Sequence, residues 1–265
     1  MPLFESIDEF KNVSPALQWA IFIVALLIVL LAIVSLVVSI VLSIKYVIYN
    51  RTKNKAGLTG EVAARKILDA NGLNHIKVSV VGSLLFGNSY SHYFKKVRLR
   101  RLTVKKQSIS SLAMGAQKAS LALLDKEGDK DMKTRIVLTP IIFFGPIAFI
   151  PIVLVGVFID ILLFNFNGVA TVIASVLGLS FYLVSFILSL MVLKTEVKAQ
   201  NRALEVLEQE NMANEEEREM MKKLFKLYNI QYVNDMILEL LEFILRILML
   251  LAKIQGSSSS SSSSN

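Results

Sequence analysis

The sequence has no cysteine, and only two of its 265 residues are histidines, His75 and His92. The first absence removes disulfide frameworks, thiolate nucleophiles and every cysteine-containing zinc site. The second leaves no three-histidine metal site, so a metal centre here would have to be dominated by carboxylates, which suit harder ions. Proline is scarce at 5 residues and charge at 19%. Apolar residues fill the gap, with 54% hydrophobic content and a mean hydropathy of +0.57. A soluble domain of ordinary composition carries less, so the chain reads as a membrane protein.

No charged residue occurs from Asn12 to Ile44, a run of 33 that exceeds the roughly 20 apolar residues needed to cross a bilayer. A cleavable leader is the competing reading. It fails because the preceding charges are mostly acidic (Glu5, Asp8, Glu9, beside Lys11), the apolar stretch is far too long and no A-x-A site follows. A second block, Ile136 to Leu193, is broken only by Asp160 and the polar patch Asn165 to Gly168. It reads as a helical hairpin with turn chemistry at its tip and Asp160 as a loop cap. A third block, Ile237 to Ile254, carries Glu239, Glu242 and Arg246 near one helical face. That helix either spans with the stripe turned against the hairpin or lies in the interface.

Between Lys45 and Arg135 there are 19 Lys/Arg against 6 Asp/Glu, which places this segment on the cytoplasmic side. Within it, Thr59 caps a helix through Ala70 that Asn71-Gly72 ends. Lys77 to Val81 and Val97 to Val104 read as strands, and Ser108 to Leu124 as a second helix. After the hairpin come a polar helix, Glu196 to Glu210, and a strong helix start at Asn214 with Glu215, Glu216 and Glu217. The fold class expected is a mainly α membrane protein of three to four transmembrane helices with a small basic α+β cytoplasmic segment. Its parts are a short extracytoplasmic amino terminus (1–14), a transmembrane helix (15–48), the basic segment (49–135), a transmembrane hairpin (136–193) and cytoplasmic helices (194–235). A transmembrane or interfacial helix (236–254) and a disordered serine-rich tail (255–265) complete it.

The stretch Gly57-Leu-Thr-Gly-Glu-Val-Ala-Ala-Arg-Lys-Ile-Leu-Asp-Ala-Asn-Gly-Leu73 resembles the opening of the bacterial integral-membrane neutral zinc metallopeptidases of the YugP type, GLTGAEAARRILDANGL. The likeness continues through Ile76 to Val80, His92-Tyr93, and Asn201-Arg-Ala-Leu-Glu-Val-Leu-Glu208, similar to the family's RRALELLE. The resemblance implies an HExxH helix, whose two histidines bind zinc and whose glutamate acts as general base. Carried down from Ser108-Ile109, the register puts Gln117 at the first histidine, Lys118 at the glutamate and Leu121 at the second histidine. A further family ligand falls on Glu196. The resemblance therefore implies a degenerate member with no catalytic residue, no bound cofactor and Glu196 as a remnant ligand. A Lys118–Glu196 ion pair is expected where the metal would sit.

Lys95 to Lys106 holds seven Lys/Arg, namely Lys95, Lys96, Arg98, Arg100, Arg101, Lys105 and Lys106. A solvated cytoplasmic face is the plain reading; contact with anionic headgroups or a partner is the functional one, with nucleic acid disfavoured. A Ser-Lys dyad of Ser110, Ser111 or Ser120 with Lys118 is not required by any spacing. The function expected is an inactive metallopeptidase homologue in the cytoplasmic membrane that binds or scaffolds a membrane-protein partner. The alternatives are a divergent peptidase with a relocated site and a tether whose basic face binds anionic lipid or nucleic acid.

Overall fold

The computed structural model describes residues 13–81, 87–163 and 168–262, without the side chains of 140–147 and 257–262. The chain is mainly helical, with one three-stranded sheet. It divides into two compact units, one of residues 1–36, 140–189 and 233–265, the other of 37–139 and 190–232. Asn165 and Asn167, expected in the hairpin turn, lie outside the described residues.

In the second unit, helix α2 (Gly60–Ala70) starts where Thr59 Oγ1 accepts the Val62 N–H at 3.2 Å, and it ends at Gly72, whose φ of +67° suits glycine. Its apolar stripe, Ala63, Ala64, Ile67 and Leu68, is fully buried. Strands β1 (Lys77–Val81), β2 (Ser89–Ser91) and β3 (Lys96–Arg100) form a sheet of order β1-β3-β2. β3 runs parallel to β1 and antiparallel to β2. Val97 and Leu99 point into the core while Lys96, Arg98 and Arg100 occupy the other face. The strand expected to reach Val104 stops at Arg100, and Arg101–Lys105 form helix α3 instead. The cause is visible in the pattern: Arg100-Arg101 puts the apolar alternation out of phase, so continuing the strand would turn Leu102 and Val104 to the wrong face.

Helix α4 (Ile109–Lys126) is capped by Ser108, and all sixteen residues from Ile109 to Leu124 are buried. Its small residues permit backbone contact with α2. A Cβ on Gly115 would lie 2.3 Å from the Gly60 carbonyl oxygen, and one on Gly60 2.7 Å from that of Ser111. Only glycine fits at either position.

Helix α1 (Pro15–Arg51) runs three residues past the expected 15–48, whereas α5 (Lys130–Leu163), α6 (Val169–Gln209) and α7 (Glu215–Ser262) run unbroken through segments that the sequence divides into shorter pieces. α5 begins six residues before its apolar run because Asp129 accepts the Met132 N–H at 2.9 Å. α7 opens with a capping box, in which Asn214 and Glu217 bond each other's backbone N–H. It continues to Ser262, past Ile254 where a disordered tail is expected. No proline stops it, and adding residues to an existing helix costs far less than nucleating one. α1 and α6 are long and apolar enough to cross a membrane; the described part of α5 contributes a shorter apolar stretch, Ala148–Leu163.

In the first unit, Asp160 caps α6 by accepting the Ala170 and Thr171 N–H groups at 3.0 and 2.7 Å. The Arg246 guanidinium lies over the Phe149 and Tyr182 rings, 4.8 and 5.6 Å from their centroids, so the polar stripe of α7 packs on the α5 and α6 helices.

Candidate functional site

Three helices of the second unit bring charge to one point. α4 presents Gln117 and Lys118, α5 presents Arg135 and α6 presents Glu196. Glu196 Oε2 accepts from Lys118 Nζ and from Gln117 Nε2, both at 2.8 Å. Its other oxygen accepts from Arg135 Nη2 at 2.7 Å. The ion pair expected from the register is present, and a second cation joins it. The Lys118, Arg135 and Glu196 side chains are 11%, 18% and 18% exposed, so solvent screens the clasp weakly. Burial pushes the Glu196 carboxyl up, but the Lys118 and Arg135 charges and hydrogen bonds outweigh it and hold the group at about 2. Two cations around one carboxylate leave a surplus positive charge.

Leu121, one turn after Gln117, contributes nothing polar. It is 1% exposed and packs with Leu124, Met132 and Ala199. A cavity of about 610 Å³ opens beside the clasp, with Tyr46, Met114, Lys118, Glu196, Tyr228 and Asn229 in its wall. Tyr228 is pushed up to about 12, chiefly by burial, so it stays a hydrogen-bond donor. Gln200 and Asn229 exchange two amide hydrogen bonds of 2.9 and 2.8 Å at the cavity edge.

The basic run 95–106 does not form one surface. Lys95 closes the turn before β3, Lys96 and Arg98 lie on the outer sheet face, and Arg100 enters the cavity wall. Arg101 and Lys105 belong to α3, which Lys106 follows. Of the two histidines, His75 is exposed. His92 Nδ1 lies 2.6 Å from Asp125 Oδ2, which also accepts from the Tyr90 hydroxyl at 2.5 Å. Burial, then the bond to Asp125, pushes the Tyr90 hydroxyl up. Arg135 is the member that sequence reasoning missed. Its only signal is a cation at the threshold of an apolar run, which the positive-inside rule already accounts for.

A family model described as "Putative neutral zinc metallopeptidase" matches residues 24–252. The chain belongs to this family. Among curated proteins, "Putative membrane protease YugP" of Bacillus subtilis (strain 168) is 25% identical over 196 residues, covering 74% of this chain and 82% of the relative. No solved structure matches. The zinc that the metallopeptidase family implies does not fit the residues gathered here. Gln117 and Leu121 supply no histidine nitrogen, Lys118 supplies a cation, and both Glu196 oxygens are engaged by donors that a metal would have to displace. Among the described residues no group of three or more His, Cys, Asp or Glu side chains is placed to hold a metal ion.

Proposed function

We propose that this member of the metallopeptidase family has lost zinc-dependent peptide hydrolysis and works as a multi-pass binding protein of the cytoplasmic membrane, holding a segment of a membrane-protein partner in the cavity beside Glu196. One observation carries the reading: Lys118, Arg135 and Gln117 saturate the carboxylate that a metal site would need. The cavity wall, with tyrosine and amide donors beside Met114, suits an extended peptide with both polar and apolar surface. Scaffolding needs such a cavity and no reacting group.

Purified protein, assayed for metal and for cleavage of unstructured peptides, is expected to hold far less than one zinc per chain and to leave the peptides intact. A photo-crosslinking residue at Tyr46 should give defined adducts to a membrane protein in native membranes, and one at the exposed His75, which does not line the cavity, should not. One tightly bound zinc per chain, or cleavage with or without metal, would overturn the reading. The orientation is tested separately. A cysteine at Asn74 is expected to be shielded from an impermeant thiol reagent in intact cells, and one at Asn167 to be labelled.

A further inference from the structure

The level of the β2–β3 turn along α5 is fixed by contacts within the second unit. α6 loses its apolar character after Leu193, where Lys194 bonds Asp131 of α5 at 3.0 Å. Two residues on, Glu196 meets Arg135. These pairs set the antiparallel helices side by side, so the residues following Arg135 lie level with the apolar end of α6. The first of them, Ile136, accepts a hydrogen bond on its carbonyl from the Tyr93 hydroxyl at 3.3 Å. The turn between β2 and β3 is therefore at the level where α5 enters its apolar run.

That turn presents two large aromatic side chains, Tyr93 and Phe94, at 66% and 69% exposure. Its geometry is braced from behind, where Asp125 of α4 lies 2.6 Å from His92 and 3.9 Å from Lys95. Beside it, the outer sheet face carries Lys77, Lys96 and Arg98 among serines. Lys77 stands directly across from Lys96, and Arg98 lies between Ser79 and Ser89. The three strands contain no acidic residue. A like-charged pair facing across a sheet is unfavourable unless an anion lies over it. The Arg98 guanidinium also covers the Phe94 ring at 5.3 Å, joining the basic face to the aromatic tip.

We propose that the Tyr93–Phe94 turn is an interfacial anchor whose rings enter the headgroup layer while Lys77, Lys96 and Arg98 engage anionic phospholipid. Exposed aromatics beside cations are the composition of membrane-interface anchors, where the rings are half-apolar and the cations gain from surface potential. The proposal rests on α5 being a membrane span.

The test uses the full chain in bilayers. Trp19 is the sole tryptophan, so Trp19→Phe provides a background in which Phe94→Trp reports one position. In phosphatidylcholine vesicles with phosphatidylglycerol added, that indole is expected to be quenched several-fold more strongly by brominated phospholipid than an indole from His75→Trp, and less by aqueous acrylamide. Omitting phosphatidylglycerol, or adding Lys96→Glu with Arg98→Glu, should remove much of the difference. Acrylamide quenching equal to that of the His75 variant overturns the anchor, and so does shielding from both quenchers, which indicates protein cover. Indifference to phosphatidylglycerol overturns the headgroup part. Val137→Trp, at a site 68% exposed, isolates the supporting premise. An aqueous indole there removes the α5 span, whereas a lipid-quenched one beside an aqueous position 94 defeats the anchor alone.

Discussion

Helices α1 and α4 are both rich in apolar residues, and they meet opposite surroundings. α1 carries large aliphatic side chains outward, with Leu36 at 61% exposure, whereas α4 uses serine, alanine and glycine and buries sixteen residues in succession. Size separates them. A helix that faces lipid needs bulk on its surface, because acyl chains adapt to any shape. One surrounded by protein on every side must let neighbouring backbones approach, as α4 does where Gly115 meets Gly60. Hydropathy alone ranks α1 first; close packing makes α4 the less replaceable.

The comparison breaks if a change in α4 is tolerated as easily as one in α1. The largest effect is expected from Gly115→Val, whose side chain has no room against the Gly60 backbone. It should cost about 4 kcal/mol or more, seen as loss of monodisperse protein and a collapsed melting temperature. Next is Glu196→Ala, which leaves Lys118 and Arg135 facing each other with little solvent. About 3 kcal/mol should be lost in denaturant unfolding, part of it recovered by adding Lys118→Met; purely additive losses would show that the two groups are independent.

Acid sharpens the same point. The Glu196 carboxyl titrates at about 2 in the folded chain against an ordinary 4.5, so its contribution is complete above about pH 4.5 and disappears as pH falls towards 2. Glu196→Gln should flatten the acid limb of stability in that window by about 2 to 3 kcal/mol. A smaller loss, about 1 kcal/mol, is expected for Arg246→Met, which removes the cation over Phe149 and Tyr182. Leu36→Ala should change stability by no more than about 0.5 kcal/mol, since that side chain is exposed and fills no packed core.

Legibility in the sequence follows the same division. α2 and β1 appear at the residues expected, because Thr59, Asn71-Gly72 and a short β-branched run mark their limits locally. β2 carries no such mark, because Ser-Tyr-Ser has no apolar alternation and its place is decided by pairing with β3. The long helices have no local end signal for a related reason. A change from apolar to polar marks where a helix leaves one environment, and the backbone need not stop there. In the site, the Lys118–Glu196 pair was legible through register with the family's motif. Arg135 was not, since its carboxylate lies 61 residues away and nothing local records the partnership.

The second unit is assembled from two stretches of chain, 37–139 and 190–232. Its core joins Ile67 and Leu112 from the first to Leu207, Met221 and Leu224 from the second. Synthesis delivers these parts in order, with the apolar residues 140–189 between them. The sheet, α2 and α4 emerge while the sides of α4 that α6 and α7 will cover are still open. Completion of this unit must therefore wait until residues 140–189 have been made. Synthesis of the intervening segment becomes a kinetic checkpoint for folding of the second unit. A chain stalled before that step displays an open apolar face to chaperones and proteases, so quality control can read an interrupted chain from the unfinished unit.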